Sequence, residues 1–381
     1  VNNGRERGTS RPGVSNGQYN PAVLQNDQAG EVRLFFVGMQ PDTKSAVSLE
    51  NMRAVAGKVN KKAASAGAAI AAGGTQIWNT QTSNFGTSGV SSVAYGNGVW
   101  VAVGGSGALR TSTNNAVTWN TQTSNNSKNI LSVAYGNGVW VAGFSEGALR
   151  TSTNDGVTWN TQTSNFGSSD IQSVAYGNGV WVAVASGGAL RTSTDNAVTW
   201  NTQTSNFTVS INAVAYANGV WVAGGASANA LRTSTNDAVT WNTQTANFIA
   251  SSFIQSFAYG NGVWVAVASG GALRTSTNDA VTWNTQTSNF GTSNIQSVGY
   301  GNGVWVAAGA GGALRTSTNN AVTWNTQTSN FGSSAINSVA YANGVWVAGG
   351  VGGTLRTLSD TLSYFPVNLQ SSYNVAGYLN Q

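Results

Sequence analysis

The sequence predicts an all-β protein, a seven-bladed β-propeller of four-stranded antiparallel blades behind an irregular, partly helical N-terminal arm. Three observations predict it: a unit of 40 to 42 residues that recurs seven times, four short strand patterns within each unit, and end copies that match the internal ones. A period of this length marks solenoids and propellers. Stacked solenoids need modified end repeats to cover their open faces, whereas a closed ring needs none. Tyr95 and Trp100 in the first copy, like Tyr341 and Trp346 in the last, keep the internal wording, which points to a ring.

Two phrases define the unit. Trp-Asn-Thr-Gln-Thr starts at Trp78, Trp119, Trp159, Trp200, Trp241, Trp283 and Trp324, and Asn-Gly-Val-Trp-Val-Ala places Trp100, Trp140, Trp181, Trp221, Trp264, Trp305 and Trp346. In the second copy the strand patterns fall at 130–135, 139–143, 148–152 and 157–163. Gly136-Asn137-Gly138 joins the first two, because a tight hairpin needs residues that tolerate positive φ, and Asn154-Asp155-Gly156 joins the last two. Along the second strand Val99, Val101 and Val103 face one way and Trp100 and Ala102 the other, so both faces are apolar and each blade is packed between neighbours. Tyr95, Trp100 and Trp119 are expected to fill the wedge that widens outward between blades.

The domain boundaries follow from the repeats: an anchoring arm at 1–74, the propeller at 75–365 and a tail at 366–381. The chain enters the repeats on the outer-strand phrase, so 76–82 is expected to complete blade seven. Residues 360–365 compete for that place, with Pro366 interrupting them.

Composition narrows the function. The chain has no Cys and no His, which removes disulfides, thiolate and imidazole metal sites and every His-based acid–base scheme. No cofactor and no catalysis are expected, and no apolar run is long enough to span a membrane as a helix. Only 8% of residues are charged, and the net charge of +5 is concentrated at the start, where 1–74 hold nine of the 17 Lys and Arg. The Lys-poor, Thr/Asn-rich surface leads to an extracellular or virion-exposed location as the expectation.

Ser152-Thr153-Asn154-Asp155-Gly156-Val157-Thr158-Trp159 resembles the Asp-box of bacterial neuraminidase repeats, Ser-x-Asp-x-Gly-x-Thr-Trp. The copy from Ser193 to Trp200 keeps the Asp as Asp195 but has Ala197 in place of Gly, and most copies have Asn and Ala at these two positions. The resemblance implies a propeller in which the box is a folding element away from any active site. The uniformity and wording of the repeats also resemble the propeller modules of virion structural and surface-display proteins, which implies a spike, fibre or attachment role.

Glycoside hydrolysis uses two placed carboxyl groups. Outside the turns joining strands 3 and 4 the propeller offers only Glu146 and Asp170, which are expected to be solvated loop carboxylates. Arg110, Arg150, Arg191, Arg232, Arg274, Arg315 and Arg356 recur once per blade. They are expected to cover the blade surface and bond an adjacent turn, with an anion-binding girdle as the alternative. Phe85, Phe166, Phe207, Phe248, Phe290 and Phe331 lie in the links between blades and are expected to plug the gaps.

The copies differ in the strand 2–3 loops and the strand 4–1 links and scarcely elsewhere. A ligand-facing rim is therefore expected there, with Lys128, Phe144, Glu146, Asp170 and Phe253 as contacts to a surface glycan or a protein. In the arm, a strand is predicted at 32–37 and a helix at 48–72, from the spacing of Leu49, Met52, Val55, Val59 and Ala63. The arm is expected to dock the propeller onto a larger assembly such as a capsid, tail or surface layer. It lacks interleaved aromatics, and nucleic acid is not an expected partner. A secreted glycan-binding lectin and a degenerate glycosidase-like hydrolase are the rival functions.

Overall fold

A computed structural model of the chain describes residues 77–227, 230–249 and 252–359, and the backbone of two short strands in the arm. It separates two units, Val1–Ala63 and Ala64–Gln381. In the first, Val32–Phe35 is a strand within the predicted 32–37, and it pairs antiparallel with Val23–Asn26. The predicted helix at 48–72, the segment 360–365 and the tail lie outside the described residues.

The second unit contains seven four-stranded antiparallel sheets. In blade 2 the strands are Ile130–Gly136, Val139–Phe144, Leu149–Ser152 and Asn160–Gln162. The fourth strand starts after Trp159 rather than at 157, because Val157 and Thr158 belong to the turn: Thr158 N donates to Asn154 Oδ1 at 2.9 Å. Asn154 Oδ1 also accepts from Ser152 Oγ at 2.9 Å, and Trp159 Nε1 donates to Gly156 O at 2.8 Å. One amide side chain and one indole thus close the turn against the strand that follows it.

The last sheet joins the two ends of the repeat region. Its first three strands are Ile336–Ala342, Val345–Gly350 and Leu355–Ser359, and its fourth is Asn79–Gln81, with Thr80 opposite Arg356. The entry of the chain on the outer-strand phrase points to this strand, and the structure supplies its pairing partner and register.

Seven hydrophobic clusters hold the ring, each shared by two neighbouring blades. Val99, Val101, Val103 and Leu109 of blade 1 meet Ile130, Val133, Trp140, Ala142 and Trp159 of blade 2. Blade 7 meets blade 1 in the same way, with Val345, Val347 and Leu355 against Trp100, Ala102 and Trp119. The valine face of one blade therefore receives the tryptophan face of the next, as the alternation along strand 2 requires. Within a blade each tyrosine of strand 1 stands opposite the tryptophan of strand 2, for example Tyr135 and Trp140 with ring centroids 5.0 Å apart.

Polar bonds repeat across the same boundaries. A bulge near the start of strand 1 shifts the register between Ile130 and Ser132 and recurs in every blade. The serine beyond the bulge accepts from the following blade: Val133 N donates to Ser92 Oγ at 3.3 Å and Val174 N to Ser132 Oγ at 3.1 Å. An extra residue re-aims a side chain in this way, here toward the adjacent sheet. These serines, with Gln172, Gln255 and Gln296, line an axial cavity of ≈ 160 Å³.

Candidate functional site

The two rims are built differently. On the rim of the strand 1–2 and strand 3–4 turns, the Asn of the Asn-Gly turn in blades 1 to 5 and in blade 7 reaches the next blade. Asn97 Nδ2 donates to Asp155 Oδ1 at 2.8 Å, Asn178 to Asp237 and Asn218 to Asp279 at 2.7 Å, and Asn343 closes the circuit to Asn115 at 2.7 Å. Asp155, Asp237 and Asp279 are therefore acceptors in an inter-blade amide circuit. Asn97 has φ 48° and Asn137 φ 47°, the left-handed conformation that Asn tolerates better than most residues.

Asp195 occupies the box position that is Asn elsewhere. Partial desolvation works to raise its carboxyl pKa, but the hydrogen bonds of Thr199 Oγ1 and N, Ser193 Oγ and Val198 N outweigh that and hold it at about 2. Thr199 Oγ1 lies 2.6 Å from Oδ2 and Ser193 Oγ 2.7 Å from Oδ1. The carboxylate is ionised at neutral pH and bound within its own turn.

The opposite rim carries the strand 2–3 loops and the links, and it brings three of the expected contact residues together. Lys128 Nζ lies 2.6 Å from Glu146 Oε1, with both side chains about half exposed. Glu146 is left-handed at φ 57°, and its backbone N–H donates to Asp170 Oδ1 at 2.9 Å. Asp170 is thus no free loop carboxylate. It does what Asn129 does for Ser106 N and Asn294 for Gly270 N, tethering one blade's loop to the link into the next. Phe253 stands apart from this cluster, in the link into blade 5, 44% exposed beside Ile249 at 61%, with its N–H on Ser269 Oγ at 2.8 Å.

Phe144 is a correction. Expected as an exposed contact, it is fully buried. It occupies the strand 2 position that is Gly104 in blade 1 and Gly350 in blade 7, where an added Cβ would meet the rings of Phe85 and Phe331. The link into blade 2 has Asn126 where six other links have Phe, so in that blade the ring comes from the neighbouring strand instead.

The seven arginines complete these sites. Each guanidinium lies over a phenylalanine ring at 4.5 to 5.8 Å: Arg110 over Phe85, Arg150 over Phe144, Arg356 over Phe331, and the rest over their link phenylalanines. Arg191 Nη2 donates to Asn165 O and Arg315 Nη2 to Asn289 O, both at 2.9 Å. The bonds described go to link carbonyls and to the carbonyl of the preceding leucine, and from Arg150 also to Thr161 Oγ1, rather than to the side chains of the strand 3–4 turns. Burial pushes these guanidinium pKa values down, although such groups stay charged at any physiological pH. The link phenylalanines are 4 to 8% exposed, so they plug the blades and offer no stacking platform.

A groove on blade 1 escaped sequence reasoning. Its volume is ≈ 530 Å³, and its lining includes Ser88, Arg110, Gln122, Asn125, Asn126 and Ser127. The signal that could have found it is Asn126, the break in the Asn-Phe pattern.

With this geometry in view, the repeats can be set beside known proteins. The family model for the repeat/shaft region of adenoviral fibre protein matches residues 86–126, 122–164, 169–205, 256–288 and 297–329, together somewhat less than half of the chain. No curated protein matches the sequence. Among solved structures, YCF48 from Cyanidioschyzon merolae is 15% identical with a TM-score of 0.61, over 74% of this chain and 98% of that one. The WD40 β-propeller domain of Doa1 is also 15% identical, with a TM-score of 0.60 over 75% and 97%. The computationally designed Ika8 protein is 13% identical, with a TM-score of 0.54 over 74% and 99%. What they share with this chain is the propeller fold.

Proposed function

We propose that this chain is a non-catalytic structural or attachment protein of a virion or cell surface, anchored through residues 1–74 and presenting the loop rim as a multivalent binding face. The observation that carries the reading is the one-sided distribution of difference. The Asn-Gly and Ser-Thr-Asn turns, the tryptophans and the arginines repeat almost without change, while Lys128, Glu146, Ile249 and Phe253 on the other rim have no counterparts in most copies. A uniform frame with individual loops suits repeated weak contacts, which add up to avidity without a deep pocket.

The likeness to adenoviral fibre repeats and the resemblance to virion repeat modules support a place on a particle surface. The absence of catalysis is supported by where the carboxylates go. Asp155, Asp237 and Asp279 accept bonds from the neighbouring blade, Asp195 is bound within its turn, and Asp170 holds a loop. Glu146 is paired with Lys128, so among the described residues no two carboxyls stand free to act as acid and nucleophile. A peptide-binding role is the second reading, favoured by the YCF48 structure bound to D1 peptide, which shares the fold.

The test exchanges the individual loops for repeat wording: Lys128→Ser with Glu146→Gly, and Gly-Thr-Ser in place of 249–253. Adhesion of the full chain to the host or particle surface is then measured. A fall of tenfold or more is expected; full retention after both exchanges would remove the rim from consideration.

A further inference from the structure

We propose that the groove on blade 1 binds the carboxylate of an acidic saccharide, with Arg110 as the anion-binding residue. The proposal deepens the attachment reading by naming a ligand class for one site. It starts from an unbalanced charge. Arg110 is half-buried, and no carboxylate among the described residues reaches it: its partners there are the Phe85 ring at 4.9 Å, Asn84 O and Leu109 O. A guanidinium has five N–H donors. Nε and Nη2 each spend one on Asn84 O, and Nη1 spends one on Leu109 O, so one N–H remains on each terminal nitrogen. Two parallel N–H groups are what a carboxylate accepts from arginine.

The surroundings name the rest of the ligand. The groove is shallow and open to solvent, with ≈ 530 Å³ of room, which suits the end of a saccharide chain laid on the surface. Its lining among the described residues holds no acid: Ser88, Thr121, Thr123 and Ser127 bring hydroxyls, and Gln122 and Asn125 bring carboxamide oxygens, their amide nitrogens being engaged by Thr111 Oγ1 and Trp159 O. Such groups match sugar hydroxyls, and the lack of acid leaves the arginine's field unopposed. Phe85, 4% exposed and covered by the guanidinium, gives no apolar subsite for a peptide side chain. Blade 1 differs from the others because its outgoing link reads Asn126-Ser127 where four other links read Phe-Gly, which adds a hydroxyl and a carboxamide to the wall. Arg150 makes the contrast in blade 2: it is buried, and Nη1 is spent on Thr161 Oγ1.

The test titrates the full chain with a glucuronate-terminated disaccharide and with the matched glucose-terminated one, by calorimetry. The acidic sugar is expected to bind at least tenfold more tightly. Arg110→Ala and Ser127→Tyr should each weaken it at least tenfold, whereas Arg315→Ala, which removes an equivalent arginine from another blade, should leave it unchanged. Ser127 is exposed, so its variant blocks the groove without touching the core and keeps the test decisive if Arg110→Ala fails to fold. Equal affinity for the two sugars, equal loss with Arg315→Ala, or no effect of Ser127→Tyr would overturn the proposal. Adhesion is measured in parallel. If the wild-type chain adheres but binds no acidic sugar, the groove is refuted and the attachment reading stands; if the sugar binds as expected but the loop exchanges leave adhesion whole, the loop rim is refuted and the groove stands.

Discussion

Phe144 and Asn126 are expected to be coupled, and a double-mutant cycle measures it. In wild type the blade 2 arginine, Arg150, sits 5.8 Å from the Phe144 ring, which is fully buried. Phe144→Ala installs the residue that blades 3 and 5 carry as Ala185 and Ala268, but the link still has Asn126 at the phenylalanine position, so the site under Arg150 has no ring. Removing a buried phenylalanine costs about 3–5 kcal/mol, the lost transfer energy plus the cavity left behind. For a domain of this size that is on the order of 10 °C in melting temperature. Asn126→Phe alone puts two rings into one site and should cost about 1–3 kcal/mol by overpacking. The double variant recreates the arrangement of the other blades, with the ring on the link and a small residue on the strand. It is expected to return to within about 1 kcal/mol of wild type, a coupling of several kcal/mol where distant sites add to within about 0.5. Denaturant unfolding followed by tryptophan fluorescence reads all four corners. Additive losses would show that the two positions do not share one cavity and would refute the reasoning.

Three further outcomes are expected. Trp78, 1% exposed in the cluster that joins blades 6 and 7, should behave as an ordinary blade tryptophan: Trp78→Ala and Trp324→Ala should each lose about 3–5 kcal/mol in thermal or chemical unfolding, and no loss at Trp78 would mean that 79–81 does not close the ring. Asp195, held at about 2, lies below the unfolded aspartate value of about 3.9, so its contribution is complete above pH 4 and fades as pH falls through 2. Asp195→Asn, the residue of the other boxes, should flatten the acid limb of the stability profile; the group is exposed, so the effect is small, and an unchanged limb would contradict the depressed pKa. Gly156→Ala should lie within about 1 kcal/mol of wild type, because Ala116, Ala197 and Ala238 hold the same left-handed site at φ 62° to 64°, where the conformational cost of about 1–2 kcal/mol is offset by a buried methyl and a stiffer unfolded chain. A large loss would show that the blade 2 turn differs from the rest.

Much of this protein follows from its sequence taken alone. Seven blades, four strands in each and two apolar faces on strand 2 are consequences of a period near 41 and an alternation of two, and local patterns of that kind repeat in the chain whatever their partners turn out to be. The tertiary structure decided what depends on partners far apart in the chain. Asn79–Gln81 completes the last blade by pairing with Leu355–Ser359, a partner at the far end of the repeats whose register the repeat phase does not set. Asn97 bonds Asp155, 58 residues on, so an acid of one blade's turn is held by the blade before it. Phe144, read as a loop aromatic at a variable position, is buried because the ring that Asn126 lacks must come from somewhere, and close packing between blades leaves no room for an empty site. Sequence repetition predicts which positions are equivalent; only three-dimensional packing reveals when two inequivalent positions fill the same space.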